Sequence, residues 1–304
     1  MSVGLAAAAV VVAIVGWSSL ARGQACCAGS SAVTPARLAL HEDALVGIDV
    51  RASDAYGSFD PTGTFVSTPS GASETDFEED LFAAIGVTPR GQAALLVPLV
   101  ETRRTTPSDA ELGGGLGDVN ASVRYDFIYA AESRYVPGIA VLAGVTFPTG
   151  TPPESATKPL ATDATGVGTY QGNFGISVEK ALGPWLFGAT GLVAKRATRT
   201  ADGVTEALAA QWTALLVAAY TFRSEAAIAL SGSFTAEGDA AIDGMTQPST
   251  RRRLVAFSAS GVLPLSDRLR LQGALTIDPP VSSFGVNQPA SGVGVTITAI
   301  YAWL

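Results

Sequence analysis

The chain has 304 residues, 47% of them hydrophobic and only 15% charged, with 33 glycines, one histidine and a formal net charge of −8. A soluble domain usually carries about 25% charged residues, so a conventional soluble enzyme is disfavoured. The acidic balance argues against nucleic acid as a partner, which is held by Lys and Arg neutralising phosphates.

Residues 3–17 are almost wholly apolar and are followed by small residues at Gly23 and Ala25, the pattern of an export signal cleaved after residue 25, although the first two residues carry no Lys or Arg. Cleavage there would remove Arg22 and take the formal charge from −8 to −9. The two cysteines, Cys26 and Cys27, are adjacent at that point. They are too few for a zinc site, and lipidation of Cys26, a vicinal disulfide and two idle thiols all stay open. Residues 26–43 are read as a periplasmic segment and residues 44–304 as the folded body.

Past residue 17 no apolar run reaches the ~18–20 residues of a spanning helix. Instead, segments of about ten residues alternate apolar and polar between turn-rich stretches, the signature of a membrane barrel. Twelve strands are predicted, at 44–55, 75–88, 91–103, 117–130, 136–148, 168–181, 185–198, 207–222, 225–236, 251–263, 267–278 and 292–303. The clearest is 118–127, where every even position is polar and every odd one apolar. Connections after odd-numbered strands are mostly long and those after even-numbered strands are short, such as Pro89-Arg90 and Gly183-Pro184. An even strand number with one short-turned and one long-looped rim predicts an all-β, up-and-down antiparallel transmembrane barrel, its short rim periplasmic.

Aromatics gather at strand ends. Tyr125, Phe127, Tyr129, Trp185, Phe187, Tyr220, Phe222, Tyr301 and Trp303 fall at the short-turn rim, and Phe147, Tyr170, Trp212 and Phe234 at the other. Such girdles mark the two membrane–water interfaces. The final strand, with Tyr301 and Trp303, suits the barrel-assembly machinery, although Leu304 rather than an aromatic is last.

Three motifs carry a family resemblance: Gly113-Gly114-Gly115-Leu116-Gly117-Asp118 leading into a strand, Val145-Thr146-Phe147-Pro148-Thr149-Gly150, and the glycine-rich run 166–174. Together they resemble the MetA-pathway phenol-degradation family of outer-membrane proteins, over roughly residues 112–197. The resemblance implies a barrel that passes small solutes, with apolar or aromatic ones as the class.

The remaining motifs carry no chemistry. The 113–117 glycine run is followed by a strand and lacks the Gly-Lys-Ser/Thr ending of a phosphate loop. His41 lies before the first strand, badly placed for a serine hydrolase triad. The acidic run at 74–80 has the residue types of a calcium site but reads as a hydrated wall or rim, and Arg251-Arg252-Arg253 as a rim cluster. No cofactor, metal or catalytic residue is expected. Charge on a lipid face would cost about 2–4 kcal/mol at midplane, so the polar parity is assigned to the lumen. That makes Asp49, Arg51, Asp118, Asn120, Arg124, Asp126, Gln171, Asn173, Glu179, Arg253, Arg268, Arg270 and Gln272 the candidate lumen-lining residues. Strands 91–103 and 207–222 are apolar on both parities, so they offer inward apolar surface to a solute or to the segment before residue 44. The expected function is passage of a small solute across the outer membrane of a Gram-negative bacterium, with outer-membrane lipids and the assembly machinery as partners. A non-transporting structural or surface barrel is the alternative.

Overall fold

The computed structural model describes residues 37–304 apart from Asp202; the predicted signal at 1–25 and both cysteines lie outside the described residues. The wall consists of β1 (Ala44–Phe59), β2 (Ser73–Thr88), β3 (Gly91–Thr105), β4 (Asn120–Ile128), β5 (Gly138–Thr146), β6 (Gln171–Leu182), β7 (Trp185–Arg196), β8 (Gln211–Thr221), β9 (Ala227–Glu237), β10 (Arg252–Pro264), β11 (Leu269–Ile277) and β12 (Gln288–Trp303). Neighbours in the chain pair antiparallel all the way round, and β12 pairs β1, so the sheet is a closed 12-strand barrel. Closure satisfies every strand edge, which lipid cannot do.

Register separates the two faces. Leu45 lies opposite Ala84 and Ala302, Asp49 opposite Asp80 and Thr298, and Arg51 opposite Glu78 and Thr296. The alternate residues Val46, Ile48 and Val50 are exposed on the outside, as are Leu81, Leu95, Phe174, Leu216, Leu230, Leu275 and Ile297 around the wall. Apolar exposure continuous round a whole surface far exceeds what a soluble monomer shows, and lipid is the solvent that accepts it.

The aromatic rows are contiguous. Trp185 packs on Phe187 and edge-on to Tyr220, Tyr220 on Phe222, Tyr125 on Phe127, and Tyr301 on Trp303, all at the short-turn rim. Tyr129 departs from that row: its hydroxyl bonds the Pro89 carbonyl and its ring lies under Arg90.

One element differs from expectation. The fourth strand, expected over 117–130, is continued above Asn120–Ile128 by a further strand, Ala110–Leu116, which pairs the upper half of β3. The two halves are broken at 117–119 opposite Pro98, which has no N–H to offer a ladder. The second outer connection is therefore a tight turn at 106–109, closed by a bond from the Thr106 N–H to the Asp109 carbonyl.

Two inward apolar clusters sit at the short-turn end: Leu45, Phe82, Ala84, Ile300 and Ala302, and Leu186, Ala219, Ala227, Ala229 and Val262. Gly47 leaves its inward site to the Phe82 ring, which passes 2.3 Å from where a β-carbon would stand.

Candidate functional site

The lumen has three levels. At the short-turn end residues 37–43 lie inside the barrel. Leu38 packs on the cluster of Leu45, Phe82 and Ile300, and its N–H donates to Gln92 Oε1 at 3.0 Å. Arg37 Nη1 donates to Glu179 Oε1 at 2.8 Å, and its guanidinium lies 3.9 Å from Asp126. Glu42 pairs with Arg270 and accepts from the Ala39 N–H at 2.9 Å. Contacts to the inner faces of β2, β3, β4, β6 and β11 by seven residues can be made only from the interior. Arg124 completes the arrangement, bridging Asp126 at 2.8 Å and Glu179 at 3.3 Å with its own side chain 4% exposed. The Ser177 hydroxyl donates to Glu179 as well, and Thr190 to Ser177. Buried charges survive only when paired in this way.

Above this level the inward side chains are less buried. Arg51 faces inward seven positions beyond the start of β1, pairs with Glu78, and still has a side chain 53% exposed. One wall carries Asp49, Asp76, Glu78 and Asp80; Asp49 accepts from the Thr298 hydroxyl and Asp76 from Thr102 at 2.7 Å. The facing wall of β8 to β10 is hydroxylic and small, with Thr213, Ser231, Ser233, Thr235, Ser258 and Ser260 on the inward parity. Near the long-loop end Arg196 bridges Glu237 at 3.2 Å and donates to Gln171 at 3.0 Å.

At the long-loop mouth residues 147–170 fold against the inner wall. The Arg104 guanidinium donates to the Leu160 carbonyl at 2.8 Å, and Glu111 accepts from the Leu160 N–H and the Thr162 hydroxyl. Asp118 accepts from the Gly150 and Val167 N–H groups, at 2.9 and 2.7 Å. Arg199 reaches Glu154 and the Val167 carbonyl. Within the loop, the Thr157 N–H and hydroxyl and the Lys158 N–H donate to Asp163, which lowers its carboxyl to about 2.

No protein-family model and no curated protein matches the chain. Among solved structures, the COG4313 outer membrane channel from Pseudomonas putida F1 superposes with a TM-score of 0.72 at 17% identity, covering 87% of this chain and 97% of that one. The fold is that of an outer-membrane barrel. The NanC porin (TM-score 0.48, 11% identity, 84% of this chain and 100% of that one) and the transport unit of the autotransporter AIDA-I from Escherichia coli (0.45, 9%, 90% and 96%) are more distant matches. The fold implied by the three-motif resemblance is thus the fold found.

Within this outer-membrane barrel the predicted lumen residues separate into groups. Asp49, Arg51, Asn120, Arg124, Asp126, Gln171, Asn173, Glu179, Arg270 and Gln272 fall on the inward parity. Arg124, Asp126 and Glu179 are brought into contact by register across β4, β5 and β6, and Asp49 lies in the field of Arg51 on the same face of β1. Three fall elsewhere. Arg253 pairs with Ala236 on the outward parity of Phe234, because the register with β9 turns the even residues of this strand, such as Ser258 and Ser260, inward; its guanidinium donates to the Ser283 carbonyl at 2.6 Å. Arg268 is exposed in the turn before β11. Asp118 lies in the strand break and holds the loop. The sequence reading missed Arg37 and Glu42, which no strand period marks, and treated 74–80 as one acidic run. Its alternation separates the inward Glu74, Asp76, Glu78 and Asp80 from the outward Glu79.

Proposed function

We propose that the chain is an outer-membrane channel for a small solute, closed or narrowed at its periplasmic end by residues 37–43. The observation that carries this reading is Arg51, an inward side chain at mid-wall that is half exposed, which supports an open lumen at that level over a packed core. Hydroxyls and carboxylates lining that space suit solvated passage. The apolar or aromatic solute implied by the family resemblance has an inward apolar surface to touch at Leu45, Phe82, Leu96 and Ile300, and Leu38 covers it. Movement of the segment would uncover that surface and widen the path in one step.

The buried pairs of Arg37 and Glu42 favour the second reading, a structural barrel whose interior is permanently filled. Planar-bilayer recordings of the full chain, and of a chain truncated to begin at Ala44, separate the two. The channel reading expects discrete openings that grow on truncation. A folded barrel that is silent in both forms would establish the structural role instead.

A further inference from the structure

The seat of loop 147–170 has a consequence for what can enter the barrel. Arg104, Glu111 and Gly113 share the inward parity of β3 and Ala110–Leu116. The loop lies directly on them: Thr162 is 1% exposed. A β-carbon added to Gly113 would stand 2.4 Å from Thr162 Oγ1, 2.6 Å from the Thr162 carbonyl carbon and 2.8 Å from the Asp163 nitrogen. Two of those three atoms are backbone, so no change of rotamer relieves the clash. The loop must lift. Its ends are held as firmly, since Asp118 bonds both flanks and a β-carbon on Gly150 or Gly166 would meet the other residue at 2.8 Å. A connection of this length with no more regular structure than one 3-10 turn, Pro153–Ser155, is uncommon unless it serves a function, and this one places its backbone inside the mouth.

We infer that the Gly113–Thr162 seat sets the size limit of the outer mouth, which makes Gly113 a specificity-determining position. The inference rests on the channel reading above and adds a filter at the opposite end from residues 37–43. A small side chain is not enough at position 113. Only the absence of one lets Thr162 sit between Glu111 and the wall, and the loop's distance from the wall follows from that contact.

The test uses the full chain with Cys26→Ser, Cys27→Ser and Ser258→Cys, which leaves one thiol on the inner wall below the loop. Maleimides on short and long polyethylene-glycol chains are applied to intact cells, and the two labelling rates are compared. The ratio of long-reagent to short-reagent rate is expected to be low in this parent. It should rise about tenfold with Gly113→Leu, the change that follows when opening becomes easier by the worth of one or two hydrogen bonds. Glu111→Ala loosens the loop without crowding it, so it should raise the ratio too and decides the matter if Gly113→Leu does not assemble. A ratio unchanged by Glu111→Ala, or a thiol that neither reagent reaches in any variant, overturns the inference. Solute flux is measured on the same proteins. Flux with an unchanged ratio rejects only the loop filter, whereas a raised ratio without flux rejects only the channel.

Discussion

Arg124 and Arg268 are two residues of one type whose roles sequence parity could not tell apart. Arg124 is buried between Asp126 and Glu179, and removing one partner of a buried pair leaves charge without compensation. Arg124→Met is expected to destabilise the barrel by about 3 kcal/mol, the lower end of that range, because Arg37 stays on Glu179. Arg268 is exposed in a turn, so Arg268→Gln should stay within about 0.5 kcal/mol. Urea refolding titrations into bilayers measure both; equal costs would mean that the bridges contribute nothing. Asp163 supports a pH prediction. Its folded pKa of about 2 lies below the ordinary 3.8, so its contribution to loop order is complete above about pH 4 and is lost as pH falls toward 2. Hydrogen exchange at Thr157 and Lys158 should therefore be protected at neutral pH and lose protection across that window. Asp163→Asn should abolish the dependence.

At the scale of the element, strict alternation made β4, β6, β11 and β12 readable, since a strand between lipid and water must keep its parity. Leu275 is outward, paired with Ala259 and Val295 and far from either rim, while Thr276 is inward between Ser258 and Gly294. Leu275→Arg should cost about 2–4 kcal/mol in bilayer refolding and Thr276→Arg much less. Similar costs for the two would show the register to be off by one. The break at 117–119 was not legible, because glycine has no side chain to declare a face. The run 113–117 looked like a glycine-rich motif, whereas its physical use is contact: Gly113 admits Thr162, and a β-carbon on Gly117 would meet the Pro98 ring at 2.9 Å.

Across the whole molecule, charge is unevenly compensated. Arg51, Arg104 and Arg196 pair with Glu78, Glu74 and Glu237. Asp49, Asp76 and Asp80 have no arginine within bridging distance among the described residues. Arg51, already bridged to Glu78, is the cation whose field reaches Asp49 and Asp80, so this wall keeps a net negative charge, which in a confined pore raises the local cation concentration. Reversal potentials in a KCl gradient should therefore show preference for potassium, falling toward none in Asp49→Asn, Asp80→Asn. Preference for chloride in the parent would remove these residues from any part in selection.

Strand number, up-and-down order, the two rims and the lipid face are properties of period and turn spacing, so the sequence by itself determined them: each depends on neighbours a few residues apart. What occupies the lumen depends on pairs far apart in the chain, and only the tertiary structure decided it. Glu42 meets Arg270 across 228 positions, and Arg37 meets Glu179 across 142. Closure of the sheet brings such residues together, and alternation alone cannot distinguish an arginine that faces water from one that holds a segment in place. The same holds for Gly113, whose empty site has meaning only once Thr162 is set against it.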